Sequence, residues 1–99
     1  MTDLEVTRLC AEAIGLPSIE ARPDGVYCNT EAEWPGVVGE RYDPLGDDAQ
    51  AFRLMVMMRI SAKPHKGGYI VEKDDHFVIS GNVNIAICQL VARLQRKKQ

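Results

Sequence analysis

Arg41-Tyr-Asp-Pro-Leu-Gly-Asp-Asp-Ala-Gln-Ala-Phe-Arg-Leu-Met-Val-Met-Met58 carries, in succession, a turn, a helix start and the most apolar run of this chain of 99 residues. Pro44 fixes its own φ and pushes Asp43 out of the helical region, so the backbone turns here. Gly46 relaxes the chain before Asp47, whose carboxylate is placed to accept from an orphan N–H of the following helix. Gln50, three residues on, is placed to reach back to that cap. Asp47 and Asp48 also suit the positive end of the helix dipole. Beyond the cap, Ala51, Phe52, Leu54, Met55, Val56, Met57 and Met58 are apolar, and Arg53 alone interrupts them. A helix with one face in water keeps polar residues on that face. This one does not, so the sequence predicts either the central helix of the domain or a helix whose spare face meets another subunit. Its methionines suit an adaptable contact surface and equally suit core filling.

The length supports one domain, residues 1–99, built on a single core. Apolar residues make up 45% and charged residues 26%, the balance of a folded soluble protein rather than of a disordered segment. Apolar runs are too short to cross a bilayer, and no basic region precedes an apolar leader at the N-terminus. A cytoplasmic protein without membrane contact is the expectation. Cys10, Cys28 and Cys88 show no CxxC spacing. Reduced thiols are expected, and structural zinc is not, because four ligands would have to come from scattered cysteines and two histidines. No cofactor is expected. The net charge of −2 conceals an asymmetry: residues 1–50 carry eleven acids and three bases, residues 51–99 three acids and nine bases. Such a distribution can steer association, unless the two halves interleave in space.

Upstream, Thr2-Asp-Leu-Glu5 reads as a capping box. Val6, Leu9, Cys10 and Ala13 follow at helical spacing, and Gly15 with Pro17 ends the helix. Residues 17–46 are broken repeatedly by proline and glycine. Val26-Tyr-Cys28 reads as a short strand and Val37-Val38 as another. Trp34 precedes Pro35 in an acidic loop with Glu31, Glu33 and Glu40; long loops of this kind carry binding surfaces, though Trp34 equally serves to close one end of the core. Downstream, Met58–Lys63 alternates apolar and polar residues as a half-buried strand does, ending at Pro64 and Gly67-Gly68. Tyr69-Ile-Val71 and Phe77-Val-Ile79 flank the polar Glu72–His76 as an antiparallel hairpin. Neither run alternates strictly, which predicts strands covered on both faces. The last helix is capped by Asn82 or Ser80 and keeps Val83, Ala86, Ile87, Leu90, Val91 and Leu94 at helical spacing. Arg93, Arg96, Lys97 and Lys98 crowd its C-terminal end, where the dipole favours cations.

Tyr42-Asp-Pro-Leu-Gly-Asp-Asp-Ala-Gln-Ala-Phe-Arg-Leu54, the hairpin, and Asn84-Ile-Ala-Ile-Cys-Gln-Leu-Val-Ala92 together resemble the phage ABA sandwich domain family of small phage and prophage proteins. The similarity covers roughly residues 34–95. It implies helices on both faces of a small sheet; with the elements read above, the expected fold is α+β, three helices packed on both faces of a small, mainly antiparallel sheet of three to four strands (an α/β/α sandwich). The family brings no catalytic mechanism, so no active site transfers.

Individual residues leave several functions open. Asp47 and Asp48 form a candidate acid/base or metal pair, but adjacent helical residues diverge and a cap already accounts for Asp47. His76 beside Asp74 and Asp75, close to Trp34, would make a small enzyme site if the groups shared one cleft. Lys63 and Lys66 around His65, with Arg93, Arg96, Lys97 and Lys98, would make a phosphate-contacting patch for nucleic acid, without any groove-reading motif. None of Ser18, Ser61 or Ser80 sits in a nucleophile elbow. The reading placed first is a non-enzymatic phage or prophage accessory protein of the host cytoplasm. It would act through contact with itself, as a homo-oligomer, or with a phage or host protein. Trp34, Phe52, Met55 and Met58 are its interface residues.

Overall fold

The structure, a computed structural model, describes residues 1–28 and 40–98. The expectations for Trp34 and for a strand at Val37-Val38 lie outside the described residues. Among the described residues, three helices and six strands follow one another as α1 (Asp3–Ala13), β1 (Glu20–Arg22), β2 (Gly25–Cys28), β3 (Glu40–Tyr42), α2 (Asp48–Met57), β4 (Ser61–His65), β5 (Gly68–Lys73), β6 (His76–Ser80) and α3 (Val83–Lys97). The fold is α+β, with two small antiparallel sheets of three strands each, ordered β1-β2-β3 and β4-β5-β6. The single sheet of three to four strands expected from sequence is thus divided in two.

Local chemistry explains the helix ends. Thr2 Oγ1 accepts from the Glu5 N–H at 3.2 Å. At the other end of α1, Gly15 takes a φ of +69°, and the Gly15 and Leu16 amides bond back to Glu12 and Ala11. That paired closure needs a left-handed residue, which glycine supplies without a Cβ clash. Asp47 Oδ1 accepts from the Gln50 N–H at 3.0 Å, as a cap should. Gln50 reaches further back than a capping box would take it: its Oε1 accepts from the Asp43 N–H at 2.6 Å. The Asp47 amide is satisfied instead by the Asp43 carbonyl at 2.8 Å. The Pro44 turn and the helix cap are therefore one hydrogen-bonded unit.

Downstream of α2 the sequence misleads. Met58 caps the helix, and Arg59, at φ +55°, closes it as Gly15 closes α1, with the Ile60 amide bonding to Met55. The alternation from Met58 to Lys63 is thus half helix end, half strand. β4 also runs through Pro64 rather than stopping there. It can do so because β4 is an edge strand, where a residue lacking an N–H sacrifices no ladder bond. Lys66 and Gly67, both at positive φ, make the two-residue turn into β5, the geometry that matches strand twist.

The core is organised around α3, not α2. α3 packs on β5 and β6, on α1 and on α2, and it buries Asn84, Ala86, Ile87, Cys88, Leu90, Val91 and Ala92. Of α2, only Ala51 and Leu54 are buried. The hairpin strands are covered on one face: Val71 and Val78 point into the core, whereas Phe77 and Ile79 are 56% and 52% exposed. The two-sided cover expected from their unbroken apolar runs is absent among the described residues.

Candidate interaction surface

The outward side of α2 is the feature that departs most from an ordinary helix surface. Ala49, Phe52, Arg53, Val56 and Met57 are exposed, at the three- and four-residue spacing that lines up one helix face. Phe52 is 62%, Val56 56% and Met57 50% exposed. Arg53 is the one charge in that stripe. Two bonds fix which way the helix faces. Asn84 Nδ2 donates to Asp48 Oδ1 at 2.7 Å, tying the start of α2 to the start of α3. Lys73 Nζ donates to the Met58 carbonyl at 2.7 Å, tying its end to β5. With the rotation so set, Leu54 points inward, and Met55 and Met58 pack half-buried against the core. Of the interface candidates on α2, Phe52 therefore faces solvent, while Met55 and Met58 belong chiefly to the interior. Val56 and Met57 take their place on the outward stripe. The sequence marks these two as apolar, but their direction depends on the rotation that Asn84 and Lys73 set.

The basic residues do not all gather in one place. Lys66 lies in the β4–β5 turn, at the end of the sheet where β6 finishes. Arg93 reaches toward the Phe77 carbonyl, at the opposite end, and Arg96, Lys97 and Lys98 continue beyond it. Lys63 sits mid-strand. A five-residue strand spans about 16 Å, so Lys63 and Lys66 stand apart from the four cations at the end of α3, and the six form no single patch. His76 opens β6 opposite Lys73, and Asp74 and Asp75 form the exposed two-residue turn before it. Those three residues occupy a hairpin tip. The two described clefts are lined by other residues. One, of about 670 Å³, lies between the start of α1 and the β2–β3 strands, with Asp3, Asp24, Arg41 and Asp43 on its walls. The other, of about 580 Å³, adjoins it around Asp47, Asp48 and Gln50. Of the acidic side chains here, Asp24 and Asp43 accept bonds within turns, Asp47 caps α2 and Asp48 accepts from Asn84. Among the described residues no group of three or more histidine, cysteine or acidic side chains is placed to hold a metal.

The three cysteines, distant in sequence, converge. Cys10 on α1, Cys28 on β2 and Cys88 on α3 are all free and buried. Cys10 Sγ donates to the Cys88 carbonyl at 3.4 Å. Contact with Cys88, then burial, pushes the Cys10 thiol far above its usual range; burial, then the Glu40 carboxylate, raises Cys28. The Tyr42 hydroxyl is buried with no hydrogen-bond partner among the described residues. Burial first, then the Cys10, Cys88 and Cys28 thiols, drive its ionisation upward as well. This is an environment that holds acids neutral, the opposite of one that makes a nucleophilic thiolate. Nothing in the spacing of residues 10, 28 and 88 announces the cluster, because it is made by packing three separate elements.

Among the described residues, no helix is long and apolar enough to cross a membrane. No family model matches the chain, and no curated protein matches it.

Proposed function

We propose that this is a non-enzymatic accessory protein that works through protein–protein contact and associates with itself through the outward face of α2. The observation that carries this reading is the stripe of Phe52, Val56 and Met57, exposed side by side along two turns of one helix. Apolar residues scattered singly on a surface need no explanation, but an aligned set does. Helices that dock on partners present anchors at this same spacing. The resemblance to phage ABA sandwich proteins adds the setting: a phage or prophage product in the host cytoplasm, whose partners are its own copies and a phage or host protein. The finer α/β/α sandwich belongs with this proposal: among the described residues no helix covers the outer face of β4–β6, and a second molecule would supply that layer.

Sedimentation equilibrium over rising concentration tests it. The wild-type chain is expected to form dimers or larger species, and Phe52→Glu to form smaller species at the same concentrations, with an unchanged circular dichroism spectrum. A wild-type monomer at high micromolar concentration contradicts the reading.

A further inference from the structure

Among the described residues, four strands stand at the ends of the two sheets: β1 and β3 in one, β4 and β6 in the other. An end strand presents unpaired backbone N–H and C=O groups, and folded proteins guard such edges with shortness, charge or proline. Three of these four edges are guarded. β1 and β3 are three residues long and carry Glu20 with Arg22, and Glu40 with Arg41. β4 carries Lys63 and Pro64. β6, His76-Phe-Val-Ile-Ser80, has five residues and neither proline nor any acidic, lysine or arginine side chain. Its outward side shows Phe77 and Ile79 to solvent. We propose that β6 is a strand-pairing edge whose occupant is β6 of a second copy, antiparallel, with the two-fold axis at Val78.

The choice of a second copy follows from the register. In that pairing Val78 lies opposite the partner's Val78, Phe77 opposite the partner's Ile79 twice over, and His76 opposite the partner's Ser80. Aromatic residues paired across strands with β-branched ones are among the favourable combinations. One step further out, Asp75 meets the partner's Gly81 and Asp74 the partner's Asn82, so no two carboxylates face each other. The same operation on β4 sets Lys63 against the partner's Lys63 and brings Pro64, which has no N–H, into the ladder. The flank of the edge is permissive too. Arg93 Nη1 reaches the Phe77 carbonyl at a long 3.5 Å, a contact that a strand N–H at about 2.9 Å replaces with a better one. The joined sheet has six strands, with β4 and its guarded edge at both ends.

This inference shares with the α2 reading only the premise that copies of the chain meet; it assigns a different surface. The Phe77 carbonyl turns toward Arg93 rather than β5, which sets the Phe77 and Ile79 amides on the free side of β6. Residue-resolved amide hydrogen exchange on the intact chain, at rising protein concentration, reads those two positions. Both amides are expected to slow by about tenfold or more as concentration rises, since pairing removes them from solvent. The slowing is expected to persist in Phe52→Glu and to vanish in Ile79→Lys. Phe77→Lys, at the other exposed position, repeats the test independently of how well Ile79→Lys folds. Exchange at the rate of exposed turn amides at every concentration overturns the proposal, and so does protection that does not depend on concentration. Association lost in Phe52→Glu, with both β6 amides unprotected, sinks this proposal and sustains the α2 reading; protection confined to β6, with Phe52→Glu associating normally, does the reverse.

Discussion

α2 and α3 lie side by side, joined at their starts by the bond from Asn84 to Asp48, and they use apolar residues in opposite ways. α3 is mainly apolar over Val83–Ala92 and gathers its charges, Arg93, Arg96 and Lys97, at its C-terminal end, and it is the element on which α1, α2, β5 and β6 converge. α2 is apolar almost all round, yet it rests on the domain along one edge and turns Phe52, Val56 and Met57 outward. Burial is decided by how many neighbours the topology supplies, not by how hydrophobic a helix is. The excess of apolar residues on α2, beyond what its neighbours cover, is the ground for proposing it as a contact surface.

The comparison is broken most sharply by cutting into each helix in turn, with stability measured by urea denaturation in dilute solution, where copies are apart. Leu90→Ala, at the fully buried centre of α3, is expected to cost about 3–5 kcal/mol through lost burial and the cavity left behind. A loss under about 1 kcal/mol, the range of surface changes, would deny α3 its central place. Gly68→Ala tests the sheet under the start of α3: a Cβ there would stand 2.6 Å from the Ser80 carbonyl oxygen. Because backbone rather than a flexible side chain is in the way, the expected cost is about 1–3 kcal/mol. Asp47→Ala and Asn82→Ala remove the caps of α2 and α3, which accept from the Gln50 and Ile85 amides. Each is expected to lose about 1 kcal/mol. Equal cap costs would show that the helices differ in burial and not in how they are started. Phe52→Ala is expected to shift dilute-solution stability by no more than about 0.5 kcal/mol, as at an exposed site, while weakening self-association.

Alkaline pH separates the two regions in another way. Cys10 and Cys28 have folded-state pKa values raised above those of the unfolded chain. The stability they contribute is fully present below the unfolded thiol value of about 8.5 and is lost as pH rises above it, because the unfolded state then releases protons that the folded state retains. Denaturation midpoints are expected to fall above that pH, and Cys10→Ala to flatten the fall. Native thiols are expected to resist Ellman's reagent until the chain unfolds.

Much of this arrangement was legible in the sequence, wherever local chemistry decided it. Thr2, Gly15, Asp47 and Asn82 are caps and stops whose function depends on the few residues around them, and the three helices lie where those residues place them. The strand at Val26–Cys28 and the β5–β6 hairpin were legible for the same reason. The split into two sheets was not, since β1 and β3 are three-residue strands whose side chains, Tyr42 apart, are exposed, too short to show a hydrophobic period. Arg59 hid the end of α2 by taking a left-handed conformation that glycine more often adopts. On the candidate surface, the apolar excess of α2 was visible as composition, but its direction was not. Phe52 faces out and Met55 in because Asn84 and Lys73 pin the helix from elements far along the chain.

The claim that rests most on that geometry is that the outward stripe of α2 is covered by another copy in solution. Hydroxyl-radical footprinting of the intact chain at low and high concentration measures this at the side chains themselves. The account predicts that Met57 and Phe52 are modified readily in dilute protein and become several-fold slower to react as concentration rises, with Met55, already half-buried, changing little. Modification of Met57 and Phe52 at one unchanging rate across the whole range would contradict it.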